Sequence, residues 1–350
     1  MQFAFFSGQL PIGFGFRCYY QNEVIINSTI FRPLWFLGNP HLQTLLAHIW
    51  QGPRSQLPAI VRHVPLPDGD RLAVHDSIPQ RWQPSAGIAL LVHGLGGCHQ
   101  SGYMVRVGSA LWRSGMRVLR MDLRGVGAGE TLARRTYHGG CSDDVRAVAG
   151  FFRQQNPAAP LILVGLSLGG NIVLKLAGEA AAANPLPGLS AVAAVAPPID
   201  MIGCANMLAQ PRNHLYEQYF VRHLKDQVRK NRRHHPDQPR PRFPRHLTMR
   251  LFDDLVTAPS WGFADALDYY RRASALPVLG HIQVPAFILT ARDDPFIAVE
   301  PFESLRPGPA TEVHIIDRGG HLGFLGPDGA GGFRWAERRL VEWISGLAKA

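Results

Sequence analysis

Short apolar runs alternate along the chain with stretches in which apolar residues recur at helical spacing. The apolar runs are 87–92, 117–121, 161–164, 191–196, 286–291 and 312–316. The run 87–92 is nearly continuous in apolar residues, which is typical of a strand that is buried on both faces. The helical stretches between and after them are 103–113, 142–155, 171–182 and 333–347. This alternation predicts an α/β fold, with a mostly parallel central sheet and helices on both of its faces.

Three segments depart from the alternation. Asn39-Pro40 predicts the start of a helix, because Asn is a favourable N-cap and Pro suits the first turn. Residues 59–78 predict a hairpin that turns around Pro67-Asp68-Gly69-Asp70. Residues 199–278 are helical in pattern without a clear strand, and they lie between two predicted strands. Because ligands bind at the carboxyl ends of such strands, we predict that 199–278 form a helical lid insertion.

Composition places the chain among globular proteins. Of its 350 residues, 46% are hydrophobic and 18% charged. The four cysteines show no C-x-x-C spacing, so we expect neither a zinc site nor a disulfide framework. No apolar run reaches the length of a membrane span, and no Lys or Arg precedes the apolar stretch in residues 1–16. We therefore expect a cytoplasmic protein, and we predict that residues 1–30 are an N-terminal extension of uncertain role.

Positive charge is concentrated in residues 222–250. The chain has a net charge of +10, and this segment holds ten Lys or Arg and two Asp. Its four prolines exclude one continuous basic helix. Since aromatic residues are few and no nucleic-acid motif is present, we predict no nucleic-acid partner. Two interpretations stay open, a solvated surface and a weak contact with an anionic membrane surface that would make the protein peripheral at a membrane.

The strongest chemical signal is Gly165-x-Ser167-x-Gly169, which follows a predicted strand and precedes a predicted helix. That context predicts a nucleophile elbow, in which a strained turn presents the serine. The two glycines would allow the strand and the helix to approach each other. The helix N-terminus would direct backbone N–H groups towards an oxyanion.

A nucleophilic serine needs a base and a carboxylate that orients the base. His321 and the pair Asp293-Asp294 follow the last two predicted strands, and the order Ser, Asp, His is that of α/β-hydrolases. We favour Asp294 as the acid from its spacing after Ala291, and we expect Asp293 to cap or hydrogen-bond the loop.

The loop that begins at His93 follows the first predicted parallel strand. We expect the backbone N–H groups of Leu95 and Leu168 to form the oxyanion hole. His93 itself is expected to be a structural loop residue. The chemistry requires no cofactor and no metal ion.

The sequence resembles the YheT-like branch of the α/β-hydrolases, which includes the bacterial YheT hydrolases and the eukaryotic abhydrolase-domain proteins 1, 2 and 3. The matching motifs fall in the family's order and are Asn39–Thr44, His93–Gly97, Gly165–Asn171, Phe252–Asp254 with Tyr269-Tyr270, Asp293–Phe296 and Gly319–Phe324. The resemblance implies an α/β-hydrolase domain over residues 31–350. It also implies hydrolysis of carboxylic esters, from short-chain esters to acylglycerols or phospholipids.

These observations predict a serine carboxylester hydrolase that acts on short- to medium-chain esters or acylglycerols through an acyl-enzyme intermediate. Ser167, His321 and Asp294 would form its triad. The alternative is a non-catalytic ligand-binding protein on a hydrolase scaffold. A peptidase or an acyltransferase is also open, because the triad chemistry is shared.

Overall fold

A computed structural model describes residues 31–50, 57–182 and 184–347. The predicted extension at residues 1–30 lies outside the described residues. The strands are β1 (Ile60–Pro65), β2 (Arg71–Ser77), β3 (Ile88–Val92), β4 (Arg117–Met121), β5 (Leu161–Leu166), β6 (Leu189–Val195), β7 (Ala286–Ala291) and β8 (Thr311–Ile316). The helices are α1 (Pro40–Ile49), α2 (Gly102–Arg113), α3 (Ser142–Gln155), α4 (Leu168–Ala182), α5 (Met201–Leu208), α6 (His214–His234), α7 (Met249–Phe252), α8 (Ala258–Trp261), α9 (Ala266–Ala273), α10 (Glu300–Glu303) and α11 (Trp335–Leu347).

The eight strands form one sheet in the order β1-β2-β4-β3-β5-β6-β7-β8. The predicted hairpin is β1 and β2, which pair antiparallel with each other, and β2 also pairs antiparallel with β4. All remaining pairs are parallel, and Leu90 of β3 lies between Leu119 of β4 and Leu163 of β5. The predicted α/β class and mostly parallel sheet are confirmed.

The core lies on both faces of the sheet because successive strand residues point to opposite sides. Leu90 and Leu163 pack on one face with α3 and α4, through residues such as Phe152. Leu91 and Val164 pack on the other face, against α2 and α11. Layered burial of this kind makes the central strands apolar on both faces, which is why their sequence pattern is clear.

The chain between β6 and β7 is helical. Helices α5 to α9 fall within residues 199–278, and the structure, which describes this whole segment, has no strand there. The segment contributes Val221, Phe252 and Tyr269 to the same hydrophobic cluster that holds Leu168 at the start of α4. It therefore packs on the side of the sheet where β5 ends and α4 begins.

Helix α4 begins earlier than its sequence pattern predicts. The pattern places the start at Asn171, whereas the helix begins at Leu168, directly after the turn that follows β5. Gly169 and Gly170 are poor helix formers, yet the tight approach of β5 to α4 brings them into the first turn. None of the helices that the structure describes combines the length and the apolarity needed for a membrane span.

Candidate active site

Ser167 occupies a strained turn between β5 and α4. Its φ is +53°, a left-handed value that is unusual for a residue with a side chain. The Ser167 N–H donates to the Val195 carbonyl at 2.9 Å, and the Gly170 N–H donates to the Ser167 carbonyl at 2.7 Å. Backbone bonds to both neighbouring elements thus hold the serine at the apex.

The glycines on either side of Ser167 make the turn sterically accessible. A Cβ on Gly165 would overlap the carbonyl oxygen of Gly169, and a Cβ on Gly169 would overlap that of Val92. A Cβ on Gly94 would lie 2.9 Å from the Ser167 Cβ. The predicted need for small residues at Gly165 and Gly169 is confirmed.

Ser167, His321 and Asp294 come together although they are far apart in sequence. The Ser167 hydroxyl donates to His321 Nε2 at 2.8 Å, and His321 Nδ1–H donates to Asp294 Oδ2 at 2.8 Å. The other carboxylate oxygen of Asp294 accepts the N–H groups of Phe296 and Ile297 at 2.8 and 3.1 Å. The carboxylate is buried and fixed, so it can orient the imidazole.

Asp293 interacts with the histidine loop rather than with the imidazole. Its Oδ1 accepts the N–H groups of Gly319 and Gly320 at 2.8 and 2.9 Å. Burial raises the pKa of Asp293 despite these two hydrogen bonds. The geometry therefore favours Asp294 as the partner of His321, and Asp293 makes the loop contact expected of the second aspartate.

Helix α1 also holds the histidine loop, a contact that the sequence analysis missed. The His321 N–H donates to Thr44 Oγ1 at 2.9 Å, and the Thr44 hydroxyl donates to the Pro40 carbonyl at 2.8 Å. Gly320 has a φ of +57°, and a Cβ there would overlap the Pro40 carbonyl. The motif Asn39–Thr44 had supported only the family resemblance. Its polar residues Gln43 and Thr44, which the structure buries, were the feature of the sequence that could have indicated this role.

The expected oxyanion donors lie beside the serine. Leu168 is the first residue of α4, where N–H groups lack an intrahelical acceptor. Tyr103 and Tyr137 accept the N–H groups of Gly94 and Gly96 at 3.0 and 2.9 Å. Within the described part of the chain, the N–H groups of Leu95 and Leu168 donate no backbone hydrogen bond. Both therefore have the capacity to bind a developing oxyanion.

His93 is fully buried next to this loop. Its Nδ1–H donates to the Gly94 carbonyl at 2.8 Å, and its Nε2 accepts the Leu123 N–H at 3.1 Å. Burial lowers the pKa of His93, which keeps the imidazole neutral. These contacts fit the structural role expected of His93.

A cavity of about 130 Å³ opens beside Ser167 and His321. Much of its wall is apolar and comes from the helices between β6 and β7, including Met201, Leu208, Phe220, Leu224 and Met249. Besides Ser167 and His321, the polar side chains that border it include Tyr137, His138, Asp253, Thr257, Tyr269 and Tyr270. A larger cavity of about 600 Å³ borders the basic segment, but none of the candidate catalytic residues lines it.

His75, His99 and Asp122 form the group of potential metal ligands found among the described residues. The Asp122 carboxylate already accepts the N–H groups of His99 and Ala128, at 2.7 and 2.9 Å, and His99 Nδ1–H at 2.8 Å. The two imidazoles stack with centroids 3.4 Å apart, so their in-plane lone pairs run side by side instead of converging as tetrahedral ligation needs. Burial alone would raise the pKa of Asp122, but hydrogen bonds from both histidines lower it. The group fits a hydrogen-bonded unit better than a metal site.

Comparison with known proteins identifies the family. Residues 90–328 match the family described by the alpha/beta hydrolase fold. The chain is 30% identical over 334 residues to YheT of Escherichia coli (strain K12), covering 93% of this chain and 95% of that protein. That relative is named as an esterase, and the name marks this activity as provisional. The chain therefore belongs to the YheT-like branch of the α/β-hydrolases, as its motifs predicted.

Two further similarities extend this result. Phospholipase ABHD3 of Mus musculus is 29% identical over 240 residues, which cover 67% of this chain but only 58% of that protein. Among solved structures, the alpha/beta hydrolase GrgF from Penicillium sp. sh18 aligns with a TM-score of 0.56 at 19% identity. That alignment covers 84% of this chain and 100% of the other, and it supports the fold alone.

Proposed function

We propose that this protein is a serine hydrolase of carboxylic esters in which Ser167 is the nucleophile, His321 the base and Asp294 the orienting acid. The observation that carries the proposal is the continuous hydrogen-bonded chain from Ser167 Oγ through His321 to Asp294, with both links at 2.8 Å. Membership of the α/β-hydrolase family and the esterase and phospholipase names of two relatives support ester substrates.

The chemistry follows from the position of each group. His321 Nε2 takes the hydroxyl proton as Ser167 Oγ attacks the ester carbonyl carbon. The N–H groups of Leu95 and Leu168 stabilise the oxyanion, and each such donor contributes about 3–4 kcal/mol to the transition state. His321 then protonates the departing alkoxide as its bond to the carbonyl carbon breaks. The alcohol leaves, and the acyl group remains on Ser167 Oγ as an ester. Water, deprotonated by His321, attacks this ester and releases the carboxylic acid.

Asp294 supports both half-reactions through its contact with His321. The carboxylate accepts His321 Nδ1–H, so the lone pair of Nε2 faces Ser167 Oγ. It also stabilises the imidazolium that forms in each half-reaction. No step requires a cofactor or a metal ion.

The helices in residues 199–278 act as a lid over the acyl-binding cavity. Their apolar side chains, including Met201, Phe220 and Met249, line the space beside Ser167. Apolar walls of this extent suit short- to medium-chain acyl groups and acylglycerols better than charged peptides.

Replacement of Ser167 by Ala tests the proposal. Activity on p-nitrophenyl esters should fall on the order of a million-fold, as in other serine triads. A fluorophosphonate probe should label the wild-type protein and not Ser167→Ala, since only an activated serine reacts. Ser304→Ala is a matched control, because Ser304 is an exposed serine whose hydroxyl only donates to the Glu300 carbonyl. An unlabelled wild-type protein without esterase activity would support the non-catalytic alternative.

The basic segment 222–250 makes weak contact with anionic membrane surfaces. Eight of its ten Lys and Arg residues are exposed, and α6 ends at His234, before the first proline of the segment. Its location in the lid would bring the site close to a lipid surface. The absence of a nucleic-acid partner stays a prediction.

A further inference from the structure

A carboxyl group is buried in the wall of the catalytic cavity without a cation to pair with. Asp253 is 6% exposed. Its Oδ1 accepts the Thr257 hydroxyl at 2.6 Å, and its Oδ2 accepts the Tyr270 hydroxyl at 2.6 Å. No salt bridge to Asp253 occurs among the described residues. Burial of a carboxyl group among neutral partners costs folding free energy. An apolar residue at this position would avoid that cost, so a purely structural role does not account for Asp253.

The local backbone brings these groups together. Residues Asp253–Thr257 form a π-helical turn between α7 and α8. Such turns are rare and often occur at functional sites. Here the turn sets Thr257 opposite Asp253, while Tyr270 reaches the same carboxylate from α9. Asp253, Thr257 and Tyr270 all border the cavity that contains Ser167.

His138 adds a donor to the same wall. The Gly140 N–H donates to His138 Nδ1 at 3.1 Å, so the neutral ring carries its proton on Nε2. Burial lowers the pKa of His138 to about 3, and the imidazole therefore stays neutral at physiological pH. Among the described residues, His138 is hydrogen-bonded through Nδ1 and not through Nε2, and its side chain borders the cavity.

Contacts connect these polar groups to the nucleophile elbow. The His138 ring lies 5.6 Å from that of Tyr269, and the Tyr269 ring lies 5.0 Å from that of Tyr270. Tyr269 accepts the Gly139 N–H at 2.8 Å. A Cβ on Gly139 would lie 2.9 Å from Leu168 Cδ1, so this wall continues directly from the expected oxyanion hole.

We propose that Asp253, Thr257, Tyr270 and His138 form a hydroxyl-recognition subsite, and that the preferred substrates are esters that carry a free hydroxyl group. A hydroxyl both donates and accepts. A carboxylate has about four lone-pair positions, and the two hydroxyls fill two of them, which leaves acceptor capacity at Asp253 for a substrate O–H. His138 Nε2–H provides a donor for the substrate oxygen. The inference rests on the proposed esterase function and specifies its substrate class.

The subsite explains how the cavity would select among esters. An apolar pocket alone distinguishes poorly between esters that differ by one hydroxyl. A buried carboxylate left without a ligand hydrogen bond disfavours the ester that lacks the hydroxyl. Burial raises the pKa of Asp253 to about 6, so the carboxylate, the stronger acceptor, prevails above that pH.

Matched esters test the subsite in the full-length protein. In one arm, kcat/KM for glycerol monooctanoate is compared with that for propyl octanoate, which lacks both hydroxyls. In the second arm, propyl ω-hydroxyoctanoate is compared with propyl octanoate, which tests a hydroxyl on the acyl side. The wild-type protein should prefer the hydroxylated ester at least about tenfold in one arm. That arm identifies whether the hydroxyl belongs to the alcohol or to the acid.

Asp253→Asn should lower this preference about tenfold, because a charge-assisted hydrogen bond is replaced by a neutral one. Asp254→Asn is the control. Asp254 does not line the cavity and accepts the Ala266 N–H at 2.7 Å. The Asp254→Asn variant should keep the wild-type preference for the hydroxylated ester.

The wild-type preference should also fall about tenfold from pH 8 to pH 5 as Asp253 becomes protonated. A ratio of two esters cancels any effect of pH that is common to both substrates, and this arm does not depend on the folding of a variant. Equal kcat/KM values in both arms, an unchanged preference in folded Asp253→Asn, or a pH-independent wild-type preference would overturn the subsite. Absence of hydrolysis of every ester together with absence of probe labelling would instead contradict the proposed function.

Discussion

At the scale of single residues, two adjacent aspartates serve different groups. Asp294 accepts the His321 Nδ1–H, whereas Asp293 accepts two backbone N–H groups of the Gly319-Gly320 turn. The chemistry of the two side chains is the same, so their positions after β7 determine their roles. Spacing along the sequence indicated this division, because Asp294 lies three residues beyond the end of the strand at Ala291.

Amide substitutions should separate the two roles. Asp294→Asn removes the carboxylate that holds the productive tautomer of His321, and kcat for ester hydrolysis should fall by about 10⁴-fold. Asp293→Asn keeps a carbonyl oxygen for the Gly319 and Gly320 N–H groups, so kcat should fall by less than about tenfold. Thermal unfolding of both variants verifies that each is folded. Equal losses in the two variants, or a larger loss for Asp293→Asn, would contradict the assignment of Asp294 as the acid.

The environment of the cavity was harder to predict than the triad. Ser167 and His321 follow strands and are flanked by glycines, so a local pattern identifies them. Burial raises the pKa of Asp253, although the hydrogen bond from Tyr270 of another helix opposes the rise, and burial lowers the pKa of His138. Contacts between segments that are distant in sequence determine both properties, and no spacing within one sequence reports them.

At the scale of secondary structure elements, the sequence predicted the start of α1 but did not indicate which of its residues are buried. Asn39 caps the helix as expected, with its side chain accepting the N–H groups of His41 and Leu42. The buried residues are nevertheless Gln43 and Thr44, whereas Ile49 is 72% exposed. Gln43 accepts the Leu325 N–H at 2.7 Å, and Thr44 accepts the His321 N–H. Hydrogen bonds to the histidine loop, and not apolar burial, orient this helix.

Thr44→Val tests whether α1 positions His321. Valine has nearly the same shape but cannot accept the His321 N–H, and a buried unpaired N–H costs about 1–3 kcal/mol. A displaced imidazole should lower kcat by about 10- to 100-fold, with little change in KM. Thr44→Ser keeps the hydroxyl and should restore most of kcat. A proportional rise in KM, or a Thr44→Ser variant as impaired as Thr44→Val, would show that the residue supports only packing.

Strands were the elements that the sequence predicted most accurately. Each residue of β3 and β7 is buried, which makes their runs almost entirely apolar and their bounds sharp. The helical segment between β6 and β7 was recognised only as a departure from this pattern. Its helices pack through interleaved apolar and polar contacts, such as that of Tyr270 with Asp253, and their arrangement depends on partners outside each helix.

At the scale of the whole molecule, positive charge is distributed unevenly. The net charge is +10, and the segment 222–250 carries most of it. Helix α6 packs through Val221 and Val228 on one face of the sheet, whereas α11 packs through Leu340 and Ile344 on the other. An uneven field of this kind orients a molecule towards an anionic surface more than an even charge of the same magnitude would.

Vesicle binding with charge-matched variants tests this orientation. The wild-type protein should sediment with phosphatidylserine-containing vesicles, and less so at high salt, because exposed charges are screened within about a Debye length. Arg242→Gln with Arg245→Gln should weaken binding by about 30-fold, since each basic residue near the surface contributes about 1 kcal/mol. Arg338→Gln with Arg339→Gln removes the same charge from α11 and should weaken it far less. Equal losses in the two double variants would mean that net charge alone drives binding, and equal binding to neutral and anionic vesicles would exclude a role for the basic segment.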